Sequence, residues 1–518
     1  MSAEIDKNIF FSKFLQTCDL PVEKTAIEPF TLIIFGGAGD LTRRKLLPSI
    51  YNLFCDNVVR DQKFSILGFD RSEMGDEEYR SLVKDSLRQF GEGDLEEEKW
   101  DQFSSHLYFL SGFFEKDESF EDLKEKTGRI AIPDSQGNRQ VLYYMAVPPQ
   151  VVPLAVHQLK KHDLCQGLFT AKIIIEKPFG HDLQSAVEFN KILTDAFKEE
   201  QIYRIDHYLA KDPVQNIIFL RFINSIFVEI WNRHYVDNVQ ITVAEDVGIE
   251  HRGAFYEKAG VIRDIVQNHM LQLLGLTAME PPVGFKADFI REEKLKIFRA
   301  IHAMDAKYLD KYIVMGQYGR GKLNGTEVPG YREEYNVAPD SNMPTFFAGK
   351  FYIDNLRWAG VPFYLRTGKR MPRRVTEICV QLKHFPVKLF GRTCDTLEPN
   401  IVILTIQPDE KILLRFSVKY PFSDNQVYPV DMVFNYNETF KLPVHPPYER
   451  LLIDILKGDL TLFVRQDTVE EMWAVVDPII NRWENTAHAD FPNYAAGDWG
   501  PEAAHLLLDQ DGRHWVTK

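Results

Sequence analysis

The chain has 518 residues, of which 45% are hydrophobic and 26% charged, enough for two or three domains with sizeable cores. Its net charge of -14 argues against a nucleic-acid partner, so an anionic substrate would need a locally basic pocket. No apolar run approaches the roughly 20 residues of a membrane span, and we expect neither a membrane partner nor a signal peptide. The scattered cysteines have neither metal-ligand nor disulfide spacing, which favours a cytoplasmic protein without a metal site.

The start of the chain predicts an N-terminal arm over residues 1–29, followed by a strand, a turn and a helix. Residues 31–35 form an apolar run typical of a buried parallel strand. The turn after that run consists of Gly36, Gly37, Ala38, Gly39, Asp40 and Leu41. Its glycines would let backbone N–H groups approach a pyrophosphate, which a helix dipole also attracts. Although the spacing is not G-x-G-x-x-G and an ordinary turn is the alternative, this context predicts a dinucleotide site.

The second strand, over residues 64–69, ends at Asp70 and Arg71, where a dinucleotide-binding domain contacts the adenosine ribose. An acid at this point accepts from the 2′-hydroxyl of NAD, whereas an arginine pairs with the 2′-phosphate of NADP. Basic residues 43–45 add positive charge near the pyrophosphate end. We therefore predict NADP as the cofactor, with NAD as a weaker alternative.

A later apolar run, residues 171–175, predicts a buried strand that leads into Lys177 and Pro178. Ligands of open α/β sheets bind beyond the carboxyl ends of the strands, so Lys177 is a candidate site residue. Pro178 restricts the backbone of Lys177 to extended conformations, which would aim its side chain. An ordinary surface lysine is the alternative.

Residues 203–206 predict the last strand of this domain, and reactive side chains follow it closely. On a helix, His207 and Lys211 would share one face at four-residue spacing, and two donors on one face suit a phosphate. Asp206 would be free to pair with a base from another part of the chain. A polar surface turn with an ordinary salt bridge is the alternative.

After about residue 210 the pattern changes to alternating apolar and polar positions, which is typical of half-buried antiparallel strands. Such segments occur at 237–244, 378–382, 412–418 and 430–436. We therefore predict an α/β Rossmann-like dinucleotide-binding domain over 30–209. A C-terminal α+β domain with a large, mainly antiparallel sheet would follow over 210–518 and serve substrate binding and dimerisation.

Two further stretches carry candidate chemistry. Residues 259–276 predict a helix whose apolar pattern is interrupted by Asp264, Asn268 and His269. A lone histidine on such a helix is usually a core residue, but it can act as a base near neutral pH when a partner such as Asp206 orients it. The five cations between residues 366 and 374 predict an anion pocket or an interface, with a plain basic surface as the alternative.

Several stretches together resemble the glucose-6-phosphate dehydrogenase family in its bacterial form. They are residues 36–41, 176–180, 204–211, 263–269 and 366–370. The resemblance extends from about residue 30 to the C-terminus, and residues 204–211 form its most specific motif. It implies oxidation of glucose 6-phosphate at C1 to a lactone, hydride transfer to NADP⁺, and a homodimer or homotetramer.

The resemblance also implies a role for each site residue. His269 would be the general base, and Asp206 would orient it. The 6-phosphate would be held by His207, Tyr208, Lys211 and Arg374. The sugar hydroxyls would be bound by Lys177, Glu245, Asp264 and Lys369, with possible assistance from Gln407. The dinucleotide would contact Gly36, Gly37, Ala38, Gly39, Asp40, Leu41, Arg71, Tyr144 and Lys177.

Two other functions are compatible with parts of this pattern. Other sugar or inositol dehydrogenases share the Glu-Lys-Pro motif of residues 176–178 but lack the motif of residues 204–211. A non-catalytic paralogue would be expected to lose the base or its partner, and here Asp206 and His269 are both present. Three positions depart from the family pattern: Arg374 stands where a lysine is common, Ala210 replaces a common glycine, and Asp70 beside Arg71 weakens a strict preference for NADP.

Overall fold

The computed structural model describes residues 27–59, 63–91, 93–384, 397–423, 426–441, 446–485 and 491–517. Positions 1–26 of the predicted N-terminal arm lie outside these ranges. Two β-sheets, each covered by helices, organise the described chain. Within the described ranges, no helix is both long and apolar enough to cross a membrane.

The first sheet is the parallel sheet predicted for the dinucleotide-binding domain, with strand order β3-β2-β1-β4-β5-β6. Its strands are β1 (Phe30–Phe35), β2 (Phe64–Asp70), β3 (Leu107–Ser111), β4 (Arg139–Met145), β5 (Phe169–Glu176) and β6 (Ile202–Ile205). Its helices are α1 (Leu47–Cys55), α2 (Asp76–Phe90), α3 (Glu97–Ser104), α4 (Asp117–Ile130), α5 (Val152–Lys161) and α6 (Leu183–Thr194). The central strands are buried on both faces, which explains their continuous apolar sequences.

The second sheet has eight strands in the order β17-β16-β15-β14-β7-β13-β12-β8, and only its β7–β13 pair is parallel among the described strands. Its strands are β7 (Val236–Ala244), β8 (Ile313–Gly316), β12 (Phe346–Phe351), β13 (Phe363–Gly368), β14 (Val375–Leu382), β15 (Ile401–Gln407), β16 (Lys411–Lys419) and β17 (Val427–Asn435). Short strands outside it are β9 (Tyr318–Gly319), β10 (Gly321–Leu323), β11 (Thr326–Val328) and β18 (Tyr494–Ala495). The predicted fold class, a Rossmann-like domain followed by an α+β domain with a mainly antiparallel sheet, is confirmed.

The remaining helices belong to the C-terminal part of the chain. They are α7 (Asp212–Ile223), α8 (Ser225–Ile230), α9 (Gly253–Val261), α10 (Leu271–Ala278), α11 (Ala287–Arg299), α12 (Ala306–Tyr312), α13 (Tyr436–Phe440), α14 (Pro447–Lys457), α15 (Gln466–Glu484) and α16 (Glu502–Asp509). Residues 463 and 464 pair with the edge strand β6 of the first sheet: Val464 donates its N–H to the carbonyl oxygen of Arg204 at 3.0 Å beside a bridge between Ile205 and Phe463.

The prediction that residues 237–244 form a half-buried strand is wrong, because β7 is buried on both faces. Its polar positions lie under the C-terminal segment rather than in water. Gln240 accepts from the N–H of Val516 at 2.8 Å and donates to the carbonyl oxygen of His514 at 2.9 Å. Strands β16 and β17, at the other end of the sheet, remain partly exposed.

The helix predicted over residues 259–276 is broken and changes type. Gly260 has a φ of +60°, a left-handed conformation that interrupts the helical backbone at the end of α9. A π-helix then runs over Ile262–Met270 before α10 continues the axis. A π-helix has i→i+5 hydrogen bonds, so residues five apart come onto one face, and this applies to Asp264 and His269.

Candidate active site

The glycine turn after β1 matches the conformation that a dinucleotide needs. Gly36 has a φ of +83°, and a Cβ there would overlap the carbonyl oxygen of Ala146. A Cβ on Gly37 would come within 2.5 Å of the Cα of Gly68. The helical run begins at Asp40, so its unpaired N–H groups face the turn. Only glycine fits at the first two positions, and the resulting surface suits a phosphate.

At the end of β2, Asp70 is hydrogen-bonded within the protein whereas Arg71 is exposed to solvent. The Asp70 carboxylate accepts from the N–H and hydroxyl of Ser72 at 3.2 and 3.1 Å and, at 3.5 Å, from the N–H of Ala38. Arg71 is exposed. Because the acid is engaged within its own loop while the guanidinium is accessible, this edge of the site suits a 2′-phosphate better than a free ribose hydroxyl.

Asp206, Lys177 and His269 meet at the carboxyl ends of β5 and β6. Since these strands are parallel and adjacent, Lys177 and Asp206 follow neighbouring strand ends. Nδ1 of His269 lies 2.5 Å from Oδ1 of Asp206, and Nζ of Lys177 lies 2.9 Å from Nε2 of His269. Lys177 also donates to the main-chain carbonyl oxygen of Asp264 at 3.0 Å. The structure therefore brings the candidate base and its candidate partner into direct contact.

The protonation of this buried pair follows from its surroundings. Burial acts to raise the pKa of Asp206, but His269 outweighs it and holds that pKa well below the usual range. Burial lowers the pKa of His269, and Asp206 offsets only part of that effect. At neutral pH the imidazole is therefore neutral, with Nδ1–H donated to Asp206 and the Nε2 lone pair facing Lys177. A histidine in this state can accept a proton at Nε2.

A second group of charges forms where β7 and β13 end, because this pair is the parallel one of the second sheet. Lys369 donates to Oε2 of Glu245 at 2.5 Å and lies 3.4 Å from Oδ2 of Asp264. Oδ1 of Asp264 lies 3.8 Å from Nζ of Lys177 and 3.7 Å from Nη2 of Arg252. Burial acts to raise the pKa of Asp264, but Lys369 and Lys177 outweigh it and the pKa is lowered. The group offers ionised oxygens and an ammonium to a polyhydroxylated ligand.

Residues 207–211 are not helical, so the helix face that His207 and Lys211 would share does not form: turns occupy 207–210, and α7 begins only at Asp212. The N–H of Tyr208 donates to Oδ1 of Asp206 at 3.0 Å. Such a side-chain bond to a backbone two residues on stabilises a turn at the expense of a helix. The turns nevertheless place Lys211 in a basic cluster with residues from the second sheet.

In that cluster, two cations converge on one amide oxygen. Nζ of Lys211 donates to Oε1 of Gln407 at 2.5 Å, and Nη2 of Arg374 donates to the same oxygen at 3.4 Å. Nε2 of Gln407 donates to the hydroxyl of Tyr208 at 3.4 Å. Burial and Arg374 lower the pKa of Lys211 to about 8. A neutral amide cannot compensate two cations, so an anion at this point would be strongly favoured.

The rings of this region stack between the basic cluster and the buried pair. The ring of Tyr208 stacks on His269 with centroids 4.1 Å apart, and His207 packs edge-on to His269 at 4.8 Å. Burial, with a contribution from the adjacent His269, lowers the pKa of His207 to about 3. His207 is therefore a neutral donor at physiological pH rather than a cation.

The basic run of residues 366–374 does not form one anion pocket, so that prediction is wrong for part of the run. Arg366 is fully buried and its guanidinium stacks on the ring of Trp515 at 4.2 Å. Lys369 and Arg374 belong to the two separate clusters described above. Arg366, Lys369 and Arg374 thus have different surroundings although they are close in sequence, and a count of charges along the sequence cannot show this.

A cleft of about 1430 Å³ connects the glycine turn with the basic cluster. One end is lined by Asp40, Leu41, Arg44 and Lys45, and the other by His207, Lys211, Arg374 and Gln407. Tyr144, a candidate cofactor contact, is not among the described lining residues, since its side chain is buried and its hydroxyl donates to Glu176 at 2.5 Å. The cleft places a dinucleotide site and an anion site in one continuous space.

Three residues near the site were not predicted from the sequence. The hydroxyl of Thr376 accepts from Nε2 of Gln407 at 3.0 Å and so orients that amide. Arg252 lies against Asp264, and Tyr448 of α14 lines the cleft. A single threonine in a strand, an arginine in a short turn and a tyrosine at a helix start give no sequence signal, because only the tertiary fold brings them here.

Comparison with known families agrees with this arrangement. Residues 33–216 match the family model described as glucose-6-phosphate dehydrogenase, NAD binding domain, and residues 218–516 match the model of its C-terminal domain. The chain belongs to the glucose-6-phosphate dehydrogenase family. The resemblance inferred from the sequence motifs is thus confirmed.

Individual members of the family are similar over nearly their whole length. Glucose-6-phosphate 1-dehydrogenase of Chlamydia pneumoniae is 42% identical over 94% of this chain and 96% of its own length. The enzyme of the same name from Bacillus subtilis is 40% identical over 93% of this chain and 97% of its own. A solved structure described as glucose-6-phosphate dehydrogenase in complex with its substrate glucose-6-phosphate superposes with a TM-score of 0.86 at 31% identity, covering 96% of this chain and 100% of that one.

Proposed function

We propose that the protein oxidises D-glucose 6-phosphate at C1 to 6-phospho-D-glucono-1,5-lactone and transfers the hydride to NADP⁺, the first oxidative step of the pentose phosphate pathway. The observation that carries this proposal is the buried contact of 2.5 Å between Asp206 and His269. It combines a neutral imidazole with an ionised carboxylate at the carboxyl ends of a dinucleotide-binding sheet.

His269 takes the proton from the C1 hydroxyl at Nε2, the atom that faces Lys177 in the structure. Asp206 fixes the tautomer of the imidazole and stabilises the cation formed by that proton. General-base catalysis of this kind contributes on the order of 10²–10⁴ in rate. NADP⁺ supplies the organic hydride acceptor when bound, so the reaction requires no metal.

The basic cluster serves as the handle for the 6-phosphate. We assign this role to His207, Tyr208, Lys211 and Arg374. Lys211 and Arg374 already converge on Gln407, and a phosphate offers both of them ionised acceptors. Binding the phosphate away from C1 positions the reacting carbon, and such orientation can lower the barrier by up to about 7–11 kcal/mol.

The sugar hydroxyls meet the second group of charges. We assign their binding to Lys177, Glu245, Asp264, Lys369 and Gln407. The ion pairs of the Glu245–Lys369–Asp264 network hold its members in place, so that each can accept from or donate to a hydroxyl without reorganising.

The glycine turn fits the cofactor, since Gly36 and Gly37 have no space for a Cβ and the helix N-terminus faces the turn. The residues that would hold the dinucleotide are Gly36, Gly37, Ala38, Gly39, Asp40, Leu41, Arg71 and Lys177. A contact from Tyr144 is left out, because its side chain is committed to Glu176. The engaged Asp70 and accessible Arg71 favour NADP over NAD.

The initial rate of absorbance increase at 340 nm tests the proposal, with glucose 6-phosphate or glucose as substrate and NADP or NAD as cofactor. We expect rapid reduction with glucose 6-phosphate and NADP, slower reduction with NAD, and little with free glucose. Folded protein that reduces neither cofactor would support a non-catalytic paralogue. Equal rates with glucose would favour another sugar dehydrogenase.

Cofactor preference provides a prediction on Arg71. Arg71→Ala removes a charge-assisted contact with the 2′-phosphate, which is worth about 1.5–3 kcal/mol, or about 10–100-fold in KM for NADP. The KM for NAD, which lacks that phosphate, should hardly change. Arg129→Ala, at an exposed arginine of α4, is the matched control. A KM for NADP equal to that of the control would remove Arg71 from this role.

We also propose that the protein is a homodimer, or a dimer of dimers, assembled through the outer strands of the second sheet. Strands β16 and β17 are only partly covered, and large apolar side chains on and near them are exposed: Tyr428, Met432, Val433 and Phe440. Large apolar side chains exposed in this way are typical of a protein interface.

The double variant Tyr428→Glu/Met432→Glu tests this interface, because the two side chains share one face of β17. A two-fold interface doubles each substitution and brings the added charges together, so we expect monomers in light scattering coupled to size-exclusion chromatography. Leu356→Glu, at a residue that is 90% exposed on a different part of the surface, should leave the dimer intact. A double variant that remains dimeric would exclude this face.

The division into a dinucleotide-binding domain at 30–209 and a substrate-binding and dimerisation domain at 210–518 remains our proposal, as does the cytoplasmic location. The strands support the division, since the first sheet ends at Ile205 and the second begins at Val236. Helix α7 lies between them in sequence and contacts both β15 and α10 of the C-terminal part.

A further inference from the structure

Lys294 of α11 is a buried lysine to which the reaction described above gives no role. It is 2% exposed, and its ammonium donates to Oε1 of Gln272 at 2.9 Å. Gln272 is also fully buried and lies three residues after His269, at the start of α10. Its Nε2 donates to the sulfur of Met472 at 3.1 Å, which is a weak acceptor. The ammonium of Lys294 is thus bound by the neutral amide of Gln272, three residues after the candidate base His269.

Asp206 lines a small cavity together with the same amide. Oδ1 of Asp206 accepts from His269 and from the N–H of Tyr208, whereas Oδ2 is buried and has no hydrogen-bond partner among the described residues. An internal cavity of about 10 Å³ is lined by both Asp206 and Gln272. This is room for about one water molecule. Asp206 and Gln272 therefore line one small cavity, and Lys294 is hydrogen-bonded to the Gln272 amide.

We propose that Lys294 is a positioning residue for the reaction: its ammonium, held by Gln272 behind the Asp206–His269 pair, stabilises the Asp206 carboxylate and thereby limits the proton affinity of His269. The inference rests on the proposed function, since it concerns the base of that reaction. A buried carboxylate with one oxygen unpaired costs free energy, and a cation across a small cavity in low dielectric offsets part of that cost. A moderated base also releases its proton more readily after each turnover.

The other charges around these groups come from several elements. Burial and Arg291 on the same helix lower the pKa of Lys294 to about 7, Asp206 acts in the opposite direction, and Arg465 lowers it further. The charged groups around the pair itself are Lys177, His207 and Asp264. Lys294 therefore carries its charge below a pH of about 7, while Arg291 and Arg465 remain cationic throughout.

The influence of Lys294 on the proton affinity of His269 can be measured from the acid limb of the pH profile of kcat. On this limb the enzyme loses activity because His269 takes up a proton. In Lys294→Met and Lys294→Gln the charge of Asp206 is no longer offset, so the imidazolium becomes more favourable. We expect the limb to move to higher pH by about 0.5–1 unit in both variants, with an unchanged KM for glucose 6-phosphate. Lys294→Gln can keep a hydrogen bond to Gln272 while losing the charge, and it carries the test if Lys294→Met does not fold.

Lys172→Met is the matched control, because Lys172 of β5 is a partly buried lysine whose ammonium donates to the carbonyl oxygen of Ile455 at 2.9 Å. Its acid limb should coincide with that of the parent. The proposal is overturned if both Lys294 variants keep the parental limb, or if Lys172→Met moves it equally. A parent without glucose-6-phosphate-dependent reduction would instead refute the proposed function, and the inference with it.

Discussion

His269→Asn is expected to lower kcat by at least about 10²–10⁴-fold while leaving the KM for glucose 6-phosphate close to that of the parent. Asparagine fills similar space but cannot accept the proton that His269 takes at Nε2. The contact of 2.5 Å with Asp206 makes this imidazole the oriented base of the site. Because the base acts in the transition state, its loss should appear in turnover rather than in substrate binding.

His207→Asn is the matched control for this experiment. Both histidines lie within one cluster of rings, with centroids 4.8 Å apart, but it is His269 whose Nδ1 is hydrogen-bonded to the Asp206 carboxylate. We expect the control to raise the KM for glucose 6-phosphate and to retain most of kcat. Circular dichroism and titration with NADP establish that both variants fold. If His269→Asn kept normal turnover, the base would have to be another residue.

Lys211→Ala should reduce kcat/KM for glucose 6-phosphate by about 10–100-fold, because a charge-assisted hydrogen bond to the phosphate is worth about 1.5–3 kcal/mol. The slow oxidation of free glucose, which has no phosphate, should be nearly unaffected. Lys296→Ala, at an exposed lysine of α11, provides the comparison for a lysine outside the site. An equal loss for both sugars would show that Lys211 does not hold the phosphate.

The same lysine predicts a difference in pH dependence. Burial and Arg374 lower the pKa of Lys211 to about 8, and the ammonium is charged below that pH. As the pH rises through about 8, the site loses one of its two cations, so kcat/KM for glucose 6-phosphate should decline. The value for glucose should not follow this decline. Parallel profiles for the two sugars would contradict the assignment.

The first domain was predictable from the sequence because its signals are local. An apolar run such as residues 31–35, followed by Gly36 and a helical pattern, specifies a strand, a turn and a helix within about twenty residues. Lys177 and Asp206 could be placed at strand ends for the same reason. Parallel pairing of β5 and β6 then brings them together without any further information.

The second domain could be predicted only in outline. Alternation identified antiparallel strands, but it could not show that β13 pairs in parallel with β7 and so places Lys369 beside Glu245. That pairing joins residues more than one hundred positions apart. Burial of β7 on both faces also depends on the distant C-terminal segment, which covers Gln240.

The type of the helix that carries His269 could not be predicted from the sequence. Apolar residues between 259 and 276 have the spacing of an α-helix, and the change to a π-helix over Ile262–Met270 leaves no mark in that spacing. The π-helix matters for the site, because it brings Asp264 and His269, five residues apart, onto one face. Only the tertiary contacts of these two side chains with Lys369 and Asp206 show why the irregular turn is there.

The most direct test of the central claim is the fate of the hydrogen on C1. Glucose 6-phosphate deuterated at C1 would be oxidised with NADP, and the reduced cofactor would be isolated and examined by mass spectrometry. We predict that it carries one deuterium, since the hydride leaves C1 while His269 removes only the hydroxyl proton. Reduced cofactor without deuterium, or no reduced cofactor from folded protein, would contradict the account.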